Sequence, residues 1–270
     1  MNTITPSRLL SDAAAWAREA GKIQLGYFRS GDLEVHNKLN DADIVTAADK
    51  ASESVIIGHI RDTYPGHAIL SEESGEHQGH DGYRWVIDPL DGTTNFNSGL
   101  PLFAVSIGIE HCGTPVAGVV YIPYLDEMFT AIQGNGAFLN GRPIHCSDEK
   151  LLSRSVVSTG FPVDKNISSD NNLDNLSRIL PLVRGLRRLG SAAIDICYVA
   201  AGYLEAYWEM NLHLWDVSAA LLIASEAGAC HTRFRPDRGL SVLAAAPAIF
   251  PQILQRLSST PASTASATKQ

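Results

Sequence analysis

Residues 84–96 read R-W-V-I-D-P-L-D-G-T-T-N-F, and the rest of the chain is organised around them. Trp85, Val86 and Ile87 form a short apolar run of the kind that makes a buried strand. Asp88 stands where that strand is expected to end, because Pro89 gives no N–H to a sheet and disfavours a helical residue before it. Asp91 follows three residues later, then Gly92, then Thr93 and Thr94, both good helix caps. The spacing therefore predicts a strand, a tight turn carrying two carboxylates, and a helix start. Helix starts gather unpaired N–H groups and favour anions. Carboxylates able to hold a cation thus lie beside donors able to hold an anion, the combination a metal-dependent phosphate site needs.

Two carboxylates in one turn repel unless a cation or proton lies between them. Both are hard oxygen donors with no Cys or His beside them, which favours magnesium over zinc. Asp88, Leu90 and Gly92 do not supply the alternating ligands of a helix–loop–helix calcium site, and no nucleotide-binding glycine loop is present. The spacing D-x-x-D-G-T is one residue longer than the D-x-D-G-T of phosphatases with an aspartate nucleophile. The extra residue rotates the second carboxylate away from the leaving group.

The whole chain sets outer bounds. Its 270 residues, 45% hydrophobic and 19% charged, are ordinary for a globular protein. A formal charge of -8 argues against nonspecific nucleic-acid binding, though a bound cation can reverse the sign of a local site. Cys112, Cys146, Cys197 and Cys230 are widely spaced with no C-x-x-C pair and read as reduced, structural residues. The N-terminus lacks a secretory pattern. The longest weakly polar stretch, 239–254, is broken by Pro247 and Pro251 and falls short of the roughly 20 residues that span a bilayer. A cytoplasmic protein with no membrane partner is expected.

In chain order, residues 7–29 carry apolar positions at helical spacing, with Ser7 as the expected cap, and 30–45 read as a turn-rich, mobile segment. Thr46 and Asp49 have capping-box spacing. Strands are expected at 68–70, 84–88, 102–110, 115–122, 127–132, 156–159, 204–208 and 240–246. Helices are expected at 173–183, 189–200, 215–227 and 249–257. The H-x-x-H at His77 and His80 lies in a glycine-rich loop and is a weak metal candidate. Arg184, Arg187 and Arg188 form the only dense basic cluster, either a solvated edge or a substrate rim.

D-P-L-D-G-T-T-N-F closely resembles the signature of the inositol monophosphatase family. D-I-V-T-A-A-D at 43–49, S-E-E-S-G at 71–75, G-S-A-A-I-D-I-C-Y-V-A-A-G at 190–202 and Y-W-E-M-N-L-H-L-W-D-V at 207–217 resemble further family segments in order and spacing. The resemblance implies an α/β fold, the layered α-β-α-β-α sandwich shared with fructose-1,6-bisphosphatase. Residues 1–258 would form one catalytic domain with sub-regions 1–145 and 146–258, followed by a disordered tail at 259–270. It implies two or three Mg2+ ions held by Glu72, Asp88, Asp91, Asp216 and the Leu90 carbonyl. Asp49, Glu72 and Thr93 would be the catalytic groups, Asp49 and Thr93 orienting the attacking water. Asp91, Gly92, Thr93, Ala192, Glu209 and Asp216 would contact substrate, with the amides at 91–93 cradling the phosphate.

The implied reaction is hydrolysis of a small phosphate monoester by direct attack of a metal-activated water, in a homodimer. Inositol 1-phosphate is the leading substrate. Histidinol phosphate, fructose 1,6-bisphosphate, phosphoadenosine phosphate and NADP are the alternatives within the family. A different class of answer is a regulator that kept the fold to bind a phosphorylated ligand or a partner macromolecule. Ala229 stands where the family usually has a second glycine, which leaves the turn after residue 228 open. The 164–175 loop and the arginines at 184, 187 and 188 lie where family members differ.

Overall fold

The computed structural model describes residues 4–30, 36–37 and 44–257. The tail at 259–270 and most of the segment at 30–45 lie outside the described residues. Within that segment, β1 (His36–Asn37) pairs antiparallel with β2 (Ile44–Val45).

An eight-stranded sheet occupies the first part of the chain. It comprises β3 (Ala68–Ser71), β4 (Gly75–His77), β5 (Tyr83–Asp91), β6 (Ala104–His111), β7 (Thr114–Ile122), β8 (Glu127–Ile132), β9 (Ala137–Leu139) and β10 (Arg142–Ile144), in the order β10-β9-β8-β7-β6-β5-β3-β4. All its pairings are antiparallel except β3 with β5. Cys112 and Gly113 both take positive φ, 50° and 77°, in the two-residue turn between β6 and β7, as a hairpin matched to strand twist requires.

Two helices cover the outer face of this sheet: α1 (Pro6–Tyr27) and α2 (Ala47–Thr63). Leu9, Ala13, Trp16, Ala17 and Ala20 of α1 meet Ile56, Ile57 and Ile60 of α2 over Trp85, Ile87, Val105, Ile107 and Val119. The cap of α1 is Thr5, not Ser7. The Thr5 hydroxyl accepts from the Arg8 N–H at 3.3 Å, and Pro6 takes the first helical position, where its missing N–H costs nothing.

The inner face carries α5 (Ala192–Ala200) and α6 (Leu214–Glu226). Ala104, Val120, Ile122 and Phe129 pack there against Ala193, Ile196, Val217, Ala220 and Ile223. Because both faces are covered, the strands read as continuous apolar runs rather than alternating ones. A second sheet closes over the same two helices. It contains β11 (Val156–Thr159), β12 (Gly185–Arg187), β13 (Ala206–Leu212), β14 (Cys230–Arg235) and β15 (Leu240–Ala245), ordered β12-β11-β13-β15-β14. Its far face meets α7 (Phe250–Leu257) and the end of α4 (Leu173–Ile179) through Ile179, Trp208, Leu243, Ala245 and Ile253. The result is the expected α-β-α-β-α sandwich, with α5 and α6 as the middle layer. Among the described residues no helix is long and apolar enough to cross a membrane, and all four cysteines are free thiols.

Several boundaries differ from the sequence reading. β5 runs through Pro89 to Asp91 instead of stopping at Asp88, because its register with β6 shifts between Asp88 and Asp91. A bulge is one of the few places a strand tolerates proline. The short helix α3 (Thr93–Asn97) is capped by Gly92 at φ 92°, not by a threonine. α4 ends at Ile179 and passes into a tight 3-10 turn at Leu180–Leu182. α5 starts at Ala192 rather than at residue 189, and β13 continues through Glu209 to Leu212 across a bulge. β14 is an edge strand that the sequence reading missed.

Candidate active site

Three separate segments bring their acids together. Glu72 follows β3, Asp88 and Asp91 lie on the bulged end of β5, and Asp216 is the third residue of α6. Burial pushes the Asp88 carboxyl well above its ordinary range, and the charges of Glu72, Asp91 and Asp216 push it further. Asp216 is raised by burial and by the charges of Asp91 and Glu72, against the His213 N–H, which donates to Asp216 Oδ2 at 2.7 Å. Burial brings Asp91 up to about 6, against hydrogen bonds that pull it down. Those bonds come from the Ser191 hydroxyl and the Ala193 N–H, at 2.6 and 2.7 Å from Asp91 Oδ2. Mutual repulsion among buried acids is relieved by a shared proton or a cation.

The set is all oxygen, and the Leu90 N–H orients Asp88 by donating to its Oδ1 at 3.0 Å. These hard donors suit a divalent cation such as Mg2+. Among the described residues, no three His, Cys, Asp or Glu side chains are drawn into a closed metal-ligating group. The acids are thus gathered within electrostatic reach, with Asp91 turned toward the start of α5. His77 instead lies 3.1 Å from the Ser74 hydroxyl and 3.4 Å from Arg61 Nη2.

Asp49 and Thr93 are in contact. Asp49 is fully buried in the first turn of α2. Its Oδ2 takes the Thr46 N–H at 2.8 Å and the Thr46 hydroxyl at 2.5 Å, while its Oδ1 lies 3.2 Å from the Thr93 hydroxyl. The capping role and the contact with Thr93 therefore use different oxygens of one carboxylate. Thr93 Oγ1 is also 3.0 Å from the Leu90 carbonyl, so its single proton chooses between two acceptors. Gly92 has no alternative residue: besides its positive φ, a Cβ there would sit 2.9 Å from the Leu102 carbonyl oxygen.

Glu209 occupies the far side. The Tyr207 hydroxyl donates to its Oε2 at 2.5 Å. Burial raises its carboxyl to about 7, with Tyr207 and the charges of Arg188 and Lys165 pulling down and Asp91 pushing up. A Cβ on Gly160 would fall 1.9 Å from Glu209 Oε2, so the carboxylate rests directly on the backbone at Gly160. Ala192 is the first residue of α5, beside the Ser191 cap that holds Asp91. Glu72, Glu209 and Asp216 share a cavity of about 600 Å³ with Phe161, Val163, Ile167 and Trp215.

Sequence reasoning missed four groups. Ser191 and Ala193 grip Asp91 from a hundred residues away, signalled only by a serine in cap position. Buried Asp195, on α5, is pushed well up by burial. Its polarity within an apolar helix was the available signal. Gln24, fully buried on α1, donates to the Pro89 carbonyl at 2.6 Å and so ties α1 to the Asp88–Asp91 bulge. Gln24→Leu removes this bond but also removes the buried, unpartnered Gln24 Oε1. The expected net loss is about 1 kcal/mol, read as a thermal midpoint about 2–4 °C lower. An unchanged midpoint would show that the bulge does not depend on α1.

Residues 6–262 match the model of the inositol monophosphatase family. A Nus factor SuhB from Pasteurella multocida is 42% identical over 255 residues, covering 92% of this chain and 95% of that protein. An inositol-1-monophosphatase from Mesorhizobium japonicum is 42% identical over 213 residues, covering 78% of this chain and 77% of that protein. The solved inositol monophosphatase of Anabaena (Nostoc) superposes with a TM-score of 0.83 at 38% identity, covering 94% of this chain and 97% of that one. Fold, site and comparisons define a layered α/β hydrolase, and phosphatase activity is supported. The chain belongs to the inositol monophosphatase family.

Proposed function

We propose that the chain is a Mg2+-dependent phosphate monoester hydrolase whose substrate is inositol 1-phosphate. The observation that carries this reading is the convergence of Glu72, Asp88, Asp91 and Asp216 from three segments, with the charges of Glu72, Asp91 and Asp216 pushing Asp88 up and those of Asp91 and Glu72 pushing Asp216 up. Glu72, Asp88, Asp91, Asp216 and the Leu90 carbonyl would hold the ions. When bound, magnesium supplies Lewis acidity, which lowers the pKa of water and stabilises charge on phosphate and leaving alkoxide.

The chain's own groups do the rest. The Thr93 hydroxyl, donating toward Asp49, accepts a hydrogen bond from the attacking water. Asp49 holds that hydroxyl in place and favours passage of the water's proton toward Oδ1. The amides of Gly92 and Thr93, at the start of α3, point their donors at the phosphate oxygens. Glu209, fixed by Tyr207, accepts from hydroxyls of the polyol. Direct attack by water needs no covalent enzyme intermediate.

A panel of inositol 1-phosphate, histidinol phosphate, fructose 1,6-bisphosphate, phosphoadenosine phosphate and NADP, assayed with Mg2+, tests the reading. Inositol 1-phosphate is expected to have the highest kcat/KM, and a single turnover in 18O-water should place the label in phosphate. Preference for another ester corrects the substrate, and absence of label on first turnover refutes direct attack. A second reading, a partner-binding regulator, is favoured by the name of the P. multocida relative. It predicts tight ligand binding without turnover. A cytoplasmic homodimer is part of the proposal.

A further inference from the structure

The segment 162–171 has a sequence rich in Asp, Asn and Ser, yet it is tied down on its outer side. Arg238, in the turn between β14 and β15, donates through Nη2 to Asp164 Oδ1 at 2.6 Å and to the Asp170 carbonyl at 3.2 Å. Arg235, at the end of β14, donates through Nη1 to Asp170 Oδ1 at 2.8 Å. It grips Asp237 with Nε and Nη2 at 3.1 and 2.9 Å. Arg238 Nε lies 3.7 Å from Asp170 Oδ2, so Asp170 is shared by both arginines.

The pairs are only partly exposed. The Arg238 side chain is 18% accessible, Arg235 25%, Asp164 30% and Asp170 37%. They are therefore less screened than surface ion pairs, and the planar guanidinium forks lose less entropy per bond than lysines would. The turn itself is rigidified by the Lys165 N–H to the Pro162 carbonyl at 3.0 Å and the Ser168 N–H to the Asp164 carbonyl at 2.9 Å.

The other side of this segment forms the cavity. Phe161, Pro162, Val163 and Ile167 line it, opposite Glu209 and Asp216. Ile167 is 82% exposed, an unusual placement for a large apolar side chain held in an ordered turn. The same arginines reach a second lining residue, since Arg235 Nη1 lies 3.8 Å from the Met210 sulfur. Gly239, next to Arg238, packs so tightly on Asn211 that a Cβ would fall 2.8 Å from the Asn211 Cα. An apolar wall faces the site, and an ionic network holds it from behind.

We propose that Arg235 and Arg238 are positioning residues that fix 162–171 as the outer wall of the cavity, and that this wall selects esters whose leaving group extends to Val163 and Ile167. The inference rests on the phosphatase reading of the site. Arginines outside the cavity would then set selectivity through KM, with the hydrolytic groups untouched.

The test compares wild type with Arg238→Gln, Arg235→Gln and Arg238→Lys on inositol 1-phosphate and on glycerol 2-phosphate, whose leaving group is smaller. The ratio of kcat/KM for the two esters is expected to fall about tenfold in each glutamine variant, through a raised KM for inositol 1-phosphate. Turnover of glycerol 2-phosphate should stay within about twofold, and Arg238→Lys should lie between. Thermal melts establish that each variant is folded; if Arg238→Gln does not fold, Arg235→Gln and Arg238→Lys decide. A ratio unchanged in folded variants, or kcat lost equally on both esters, overturns the proposal. A wild-type chain that turns over neither these two esters nor any ester of the panel above instead refutes the phosphatase reading, and the inference goes with it.

Discussion

Asp91→Asn is expected to abolish Mg2+-dependent ester hydrolysis, by at least about a thousandfold in kcat, while leaving the chain folded. The reason is an asymmetry in what Asp91 does. Its Oδ2 accepts from the Ser191 hydroxyl and the Ala193 N–H, and an asparagine oxygen can accept both. The link between the β5 bulge and the start of α5 therefore survives. What is lost is a negative charge among Glu72, Asp88 and Asp216, together with one oxygen donor replaced by an NH2 group. Each 1.4 kcal/mol of lost transition-state stabilisation is about tenfold in rate, and metal clamps contribute several kcal/mol. Removing one buried acid also relieves repulsion, so the thermal midpoint without metal should hold or rise. Mg2+-dependent activity and melting with and without Mg2+ check both halves. Residual activity near wild type would remove Asp91 from the reaction.

The second large effect is expected within one helical turn of Asp216. Gly108 on β6 and Gly118 on β7 are cross-strand partners on the face that carries α6. A Cβ on Gly118 would lie 2.9 Å from the Ala219 carbonyl oxygen and 3.1 Å from the Ala219 Cα; one on Gly108 would lie 2.4 Å from the Ser218 hydroxyl. Closeness is what requires glycine here. Gly118→Val puts three carbons where helix backbone stands, and backbone does not rotate aside. Overpacking of this kind costs typically about 1–3 kcal/mol and occasionally more. Because α6 carries Asp216 in its first turn, lifting the helix by even an ångström should also cost roughly a hundredfold in kcat. The joint signature is a lower thermal midpoint with a disproportionate loss of activity. A variant with both unchanged would mean that α6 does not sit this close to the sheet.

These two sites mark what could and could not be read from the sequence. Asp88, Asp91 and Gly92 were legible because the strand, proline and glycine around them act over a few residues. Thr46 and Asp49 were legible for the same reason, as a cap of local spacing. The flanking strands were visible as apolar runs because helices cover both faces. By contrast, the grip of Ser191 and Ala193 on Asp91, the reach of Gln24 to Pro89 and the close approach of Gly108 to Ser218 and of Gly118 to Ala219 join residues about 65 to 110 positions apart. No local pattern encodes such pairings. β14 was missed because C-H-T-R-F-R belongs to an edge strand, where backbone pairing with β15 carries the structure and no apolar run marks it. The Asp88 strand end was misplaced because proline signals a stop unless a bulge admits it.

The order in which the layers are made has its own consequence. The eight-stranded sheet is complete at Ile144, yet the helices that cover its inner face begin only at Ala192 and end at Glu226. During synthesis, Val120, Ile122 and Phe129 have no partner helix until those residues leave the ribosome. At about 5–20 residues per second that interval lasts several seconds, longer than hydrophobic collapse and long enough for neighbouring nascent chains to meet. The nascent protein's vulnerability to aggregation is thus set by its late middle layer, and a chaperone that binds this face would act in that interval.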